Sequence, residues 1–138
     1  MSGIDFASGG GTVPTLEVTV QVKIDGMSVA GFPLSRRVTA DELQSFAVEI
    51  PAHGSTGEGT IIPLNFLDSV QSLVLTTDRT ITVALNGGLP SQGFGCPTVS
   101  AGGLLIILNG DLGNGFVQNT INNLSGATAN IRGIGAGT

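Results

Sequence analysis

Between Thr15 and Asp25 the chain alternates without a break. Leu16, Val18, Val20, Val22 and Ile24 fall on one side, and Glu17, Thr19, Gln21, Lys23 and Asp25 on the other. A period of two belongs to an extended strand, so one face must be buried and the other wetted. Asp25-Gly26 then closes the run, and Asn86-Gly87 and Asn109-Gly110 close two later apolar runs. Asp, Asn and Gly tolerate the positive φ that tight turns demand, so these pairs read as strand ends. Short strands punctuated by turn residues therefore dominate the pattern.

The rest of the chain repeats it. Residues 28–38 read as a returning strand, with Pro33 at an edge or bulge because it brings no N–H to a ladder. Further strands are expected at 46–50, 60–66, 70–76, 80–86, 103–108, 116–121 and 127–132. Strands 70–76 and 80–86, joined by Thr77-Asp78-Arg79, read as a hairpin, and 51–59 and 87–101 as loops. Thr39-Ala40-Asp41-Glu42 has the spacing of a capping box, and Val38 and Leu43 that of a hydrophobic staple. That signal predicts one short helix, ending near Ser45. Residues 103–108 contain Leu104-Leu105-Ile106-Ile107-Leu108, apolar on both faces, which predicts a strand covered on each side. The domain's own core supplies one cover and a second subunit the other.

The pattern specifies an all-β class: a single antiparallel β-sandwich over residues 15–138, jelly-roll-like or Greek-key in topology, with one short helix. Residues 1–14 contain Gly9-Gly10-Gly11 and read as a flexible Gly-rich N-terminal arm, whose Ile4, Phe6 and Val13 could dock on a neighbouring surface. The Gly-rich end, Gly133 to Thr138, reads as a second contact segment that orders on assembly.

Charge narrows the partners. The net charge is −5, and the five basic residues, Lys23, Arg36, Arg37, Arg79 and Arg132, are scattered. Nucleic acid needs a clustered cationic surface, and an anionic membrane needs the same, so neither is expected as a partner. Arg36-Arg37 is the one adjacent pair and reads as a solvated strand position or a subunit ion pair. No apolar run approaches the ~18 residues of a membrane span. The first residues show neither a basic nor an apolar leader region, and Cys96 has no second cysteine, so synthesis in a cytoplasm is expected.

Reactive side chains are sparse. His53, the single histidine, lies in a Gly/Ser-rich loop and reads as exposed, because general acid–base chemistry needs an oriented partner. Cys96, between Gly95 and Pro97, has no neighbouring base to lower its pKa and reads as a half-buried structural thiol. One Cys and one His cannot fill a zinc shell. Asn109, Asp111 and Asn114 resemble a calcium loop, but Thr120 stands where an EF-hand needs Glu, so the segment reads as a turn. Asp25, Asp68 and Asp78 read as turn residues. Carbohydrate modules stack sugars on Trp or Tyr, and the chain has neither; Phe6, Phe94 and Phe116 are the substitutes on offer. No enzyme, cofactor or metal is expected.

Only 11% of residues are charged, against roughly 25% in ordinary soluble domains. A surface of small neutral residues with extra apolar faces suits burial against other copies. The stretches 67–88, 101–115 and 122–138 resemble small β-rich virion structural proteins of tailed bacteriophages. In these a strand, Asp-Arg/Lys, strand, Leu-Asn-Gly unit precedes an apolar strand and a closing N-x-S-G-x-x-A-x-I-x-G segment, here Asn123 to Gly133. The resemblance implies a non-enzymatic protein located in the virion. A capsid decoration (cement) protein is the first expectation: a homotrimer contacting copies of itself and the major capsid protein or other virion proteins. A ring-forming neck, tail or baseplate subunit is the alternative, and a glycan- or host-surface-binding β-sandwich module the second. Ile4, Phe6, Val13, Arg36, Arg37, Leu105 and Ile107 are the candidate assembly contacts.

Overall fold

A computed structural model of the chain describes residues 14–52, 59–64, 67–85, 96–113 and 119–138. Ile4, Phe6, Val13 and all of the expected arm except Pro14 lie outside the described residues, as do His53, Asn86, Phe94, Asn114 and Phe116. The chain divides between Asp41 and Glu42 into two compact units.

In the first unit, β1 (Thr15–Val20) pairs antiparallel with β4 (Leu34–Thr39), in register from Thr15↔Thr39 to Val20↔Leu34. Leu16 and Val38 are cross-strand partners and both are buried. The other face is polar: Arg37 donates to Glu17 at 2.7 Å, and the Thr19 and Ser35 hydroxyls meet at 3.0 Å. Between these strands, β2 (Lys23–Ile24) and β3 (Met27–Ser28) form a shorter ribbon around Asp25-Gly26. Asp25 has φ 51° and Gly26 φ 80°, the two left-handed residues a type I′ turn requires. The return is not one continuous strand. Pro33, with a cis bond to Phe32, lies in the gap between β3 and β4, where its missing N–H breaks no ladder.

The second unit holds two four-stranded antiparallel sheets. One has the order β10-β7-β12-β5, from β10 (Leu104–Ile107), β7 (Val70–Thr77), β12 (Ala129–Gly137) and β5 (Glu42–Ile50). The other has the order β6-β11-β8-β9, from β6 (Thr60–Ile61), β11 (Thr120–Asn122), β8 (Ile81–Ala84) and β9 (Thr98–Val99). Ile50, Leu73, Leu75 and Ile131 from the first sheet share a core with Ile81, Val83, Val99 and Ile121 from the second. This is the all-β sandwich, wound so that spatial neighbours are distant in sequence.

The structure corrects three expectations. The segment 39–45 is not a helix: β4 ends at Thr39 and β5 begins at Glu42, and no helix occurs among the described residues. The local capping signal loses to a nine-residue ladder, Glu42↔Gly137 to Ile50↔Ala129, which also buries Phe46 and Ile50. A short helix with a costly nucleus has nothing comparable to offer. Secondly, β7 and β8 are not a hairpin, because they lie in different sheets. Leu73 and Leu75 of β7 and Ile81 and Val83 of β8 are all buried, but they face one core from opposite sides. Thr77 Oγ1 holds the crossing, donating to Arg79 O at 2.7 Å and accepting from Arg79 N.

Among the described residues β10 is the edge strand of its sheet. Leu105 and Ile107 pack on the core half-buried, whereas Leu104 is 61% exposed. Finally, the Gly-rich end is no peripheral segment. It is part of β12, an interior strand of its sheet, paired on both sides. Gly133, Gly135 and Gly137 recur with the strand period. A Cβ on Gly133 would lie 2.6 Å from Phe46 Cζ and collide with the Val74 carbonyl. One on Gly135 would lie 2.6 Å from Leu64 Cδ2, and one on Gly137 would strike the Ser69 carbonyl. These positions are empty because neighbours fill them.

The expected strand 60–66 shortens to Thr60–Ile61, after which Ile62 and Leu64 leave the ladder to enter the core. Overpacking a filled core costs ~1–3 kcal/mol. Gly133→Ala should therefore lower unfolding stability by at least that much, read as a fall in the denaturant midpoint at unchanged slope.

Candidate functional site

Of the buried polar residues described in the second unit, Ser72 and Thr77 lie on β7, and Asn119, Asn122 and Asn123 cluster in and beside β11. Asn123 is fully buried and its amide is fully used. Its Nδ2 donates to Ile50 O at 2.9 Å and Ala127 O at 2.7 Å, while Oδ1 accepts from Ser125 N and Ser125 Oγ. Gly126, at φ 81°, turns the chain inside this network. Asn123 thus ties the end of β5 to the bend before β12. Asn119, equally buried, donates to Leu112 O at 2.9 Å. No buried side-chain N or O among the described residues lacks a partner, so these amides hold structure and are not poised for a ligand.

One carboxylate is specially placed. Asp78 receives the Asn130 backbone N–H at 2.7 Å and the Asn130 side-chain amide at 2.8 Å, and Asp78 N donates back to Asn130 O. The Asn130 side chain first, then its backbone N–H, hold the Asp78 carboxyl below the ordinary 3.8. The clamp binds the β7–β8 crossing to the start of β12. Sequence reading saw Asp78 only as a turn residue, because its partner is remote in the chain.

The candidate chemistry does not converge. Cys96 is half-buried and in no disulfide, and burial pushes its thiol pKa up, away from reactivity. Asp111 Oδ1 accepts from Gly113 N at 3.2 Å, a turn-holding role, and Thr120 lies in β11. Among the described residues no three His, Cys, Asp or Glu side chains gather to hold a metal. Asp68 lies beside β7, its N–H on Thr138 O.

Of the expected assembly contacts, Arg36 and Arg37 are exposed on β4, and Leu105 and Ile107 lie on β10. Arg37 spends its charge on Glu17 across the strand pair, and Arg36 donates to the Ser35 carbonyl in its own strand at 3.0 Å.

Two shallow depressions lie on the second unit. One, of about 380 Å³, runs over Ala47–Glu49 and Asn130–Arg132. The other, of about 230 Å³, is rimmed by Thr80, Thr82, Thr98 and Ser125 with Leu124 beside them. Neither contains a nucleophile with a base, and neither has the aromatic platform a sugar ring would use.

What stands out instead is apolar exposure. Ile24, Met27, Ile61, Leu104 and Leu124 are large, apolar and exposed. The alternation of the first strand assigned Ile24 to a buried face; in the structure it is 66% exposed. No protein-family model matches the chain, and no curated protein or solved structure matches it. The closing motif that carries the resemblance has a folding reason at most fixed positions. Asn123 and Ser125 make the network, Gly126 makes the turn, Ala129 and Ile131 are buried, and Gly133 admits Phe46.

Two outcomes follow. Asn123→Ala strips the Ile50 carbonyl of a buried donor and should cost ~1–3 kcal/mol in unfolding free energy. For Asp78→Ala, the sign comes from the lowered folded pKa: the clamp contributes fully above 3.8 and is lost as pH falls through the lower folded value. The melting-temperature gap between wild type and variant should be constant near neutral pH and close in acid.

Proposed function

We propose that the chain is a non-enzymatic structural subunit of a tailed-bacteriophage virion, and within that class a capsid decoration (cement) protein. Such a subunit clamps neighbouring shell proteins, and each weak contact is strengthened by the multivalency of a regular lattice. The observation that carries the reading is the surface. A chain with 11% charged residues leaves Ile24, Met27, Ile61, Leu104 and Leu124 in water. Scattered apolar residues are normal on a monomer, but they usually sit among abundant charges of both signs. Here the ionic background is thin, so burial against protein costs little desolvation of charge.

The edge strand β10 supports the same reading. Leu104 stands exposed where the doubly apolar pattern calls for cover, and a neighbouring subunit supplies that cover without altering the core contacts of Leu105 and Ile107. The resemblance over 67–88, 101–115 and 122–138 supplies the phage assignment.

Sizing the purified chain in solution, with its copy number on particles, tests the proposal. A trimer that binds assembled shells and raises their melting temperature is the expected result. A closed ring of higher symmetry that fails to bind shells would move the chain to the neck, tail or baseplate. A monomer that binds glycans, or turns over a substrate, would overturn the structural reading.

A further inference from the structure

Asn109-Gly110 follows β10, and Asn109 is open to water. Asn109 holds φ 56°, a left-handed turn that Asn tolerates. An asparagine followed by glycine is chemically fragile. The glycine nitrogen, once it gives up its proton, attacks the asparagine Cγ; ammonia leaves and a five-membered succinimide closes. Water then opens the ring to aspartate or to isoaspartate. In isoaspartate the main chain runs through the side-chain carboxyl and gains a methylene. Glycine places no Cβ in the way of the attack.

The fold restrains each part of that step. Gly110 N donates to Gln71 O at 2.7 Å, and Asn109 N donates to Ser72 Oγ at 3.1 Å. Ser72 is itself buried, on β7. Two further bonds continue the lacing: Leu112 N donates to Val70 O at 2.9 Å, and Val70 N to Gly113 O at 2.8 Å. Leu112 is buried in the core. The proton that must leave Gly110 N is therefore held by a carbonyl. Swinging that nitrogen toward Cγ also tears it from Gln71, so cyclisation needs residues 109–113 to lift from β7 first. The glycine has its own reason to be there. A Cβ at 110 would lie 3.2 Å from Ile107 Cγ2, tighter than ordinary contact.

We propose that Asn109 is a latent deamidation site, kept intact while residues 109–113 are laced to β7 and converted when that segment lifts. The conversion is one-way, because the ammonia is lost. Isoaspartate lengthens the main chain between the Ser72 and Val70 anchors, so Leu112 no longer returns to its place in the core. Local opening at this sheet edge is thereby recorded as a permanent loss of edge contacts.

Peptide mass mapping tests it. The native chain and the chain in urea are held in the same mildly alkaline buffer, and the mass gain of amide-to-acid conversion is followed at each Asn-Gly pair. In urea, Asn109 should convert at the rate of Asn86 and Asn114, which also precede glycine. In the native chain Asn109 should convert at least about tenfold more slowly than in urea, by a factor set by the free energy of lifting the segment. Hydrogen exchange at Gly110 N–H should show protection of the same order, because the same bond must open. Ser72→Ala removes one lace and should speed conversion at Asn109 several-fold with the circular dichroism of the wild type. Should Ser72→Ala misfold, the agreement between exchange and conversion in the wild-type chain carries the test. Asn109→Asp, which adds the charge without lengthening the chain, should melt near the wild-type temperature, and the purified isoaspartate form below it.

Conversion of Asn109 as fast in the native chain as in urea would overturn the lock. So would a Gly110 amide that exchanges without protection, or a folded Ser72→Ala chain that converts no faster. An isoaspartate form that melts with the wild type would overturn the loss of edge contacts.

Discussion

The sandwich depends on the close approach of β12 to its neighbours. Phe46, Leu64 and Leu75 occupy the space where side chains of residues 133 and 135 would stand. Glycine in a strand interior ordinarily weakens it, through backbone entropy and missing contacts. Here the loss is offset because the vacated volume is filled by Phe46 and by two buried leucines. The same strand carries Ala129 and Ile131, fully buried, so it contributes burial at one end and room at the other. The two ladders that flank it, to β5 and β7, hold the sheet together only while that room exists.

Polar anchors complete what packing begins. Asn123 links β5 to the bend before β12, and Asp78 links the β7–β8 crossing to the start of β12. Both anchors act on the entry to one strand. The Asn123 network is buried and leaves no donor or acceptor unmatched; the Asp78 clamp is open to solvent and therefore answers to pH. Neither resembles a reaction centre. The described surface instead leaves Ile24, Met27, Ile61, Leu104 and Leu124 uncovered.

Much of this was legible in the sequence, and the failures have physical causes. Alternation located β1, and strand-and-turn signals located parts of β5, β7 and β8 and the Asp25-Gly26 turn, because face and turn are local properties. It could not assign β7 and β8 to separate sheets, since a period of two names a face and no partner. The capping box at Thr39 was a true local preference overruled by a distant ladder. The glycines near the end suggested looseness, because nothing local shows that Phe46 and Leu64 fill their places. For the site, Leu105 and Ile107 were identified as a strand with two apolar faces, but the exposure of Ile24 and Met27 was invisible. A sequence shows that a face is apolar without showing whether anything lies over it. Asn123 and Asp78 escaped notice for the same reason, their partners being far along the chain.

The place of β12 between β5 and β7 also governs how the fold is reached. Those two strands do not touch each other, so their sheet cannot grow by adding hairpins in order. It must wait for a segment remote in sequence to slot into the middle, and such non-local closure is slow. Until then two open edges face a vacant lane the width of a strand, and any chain nearby carrying the same segment can fill it. The arrangement that makes the finished sheet secure thus gives the nascent one an interval of exchange between molecules.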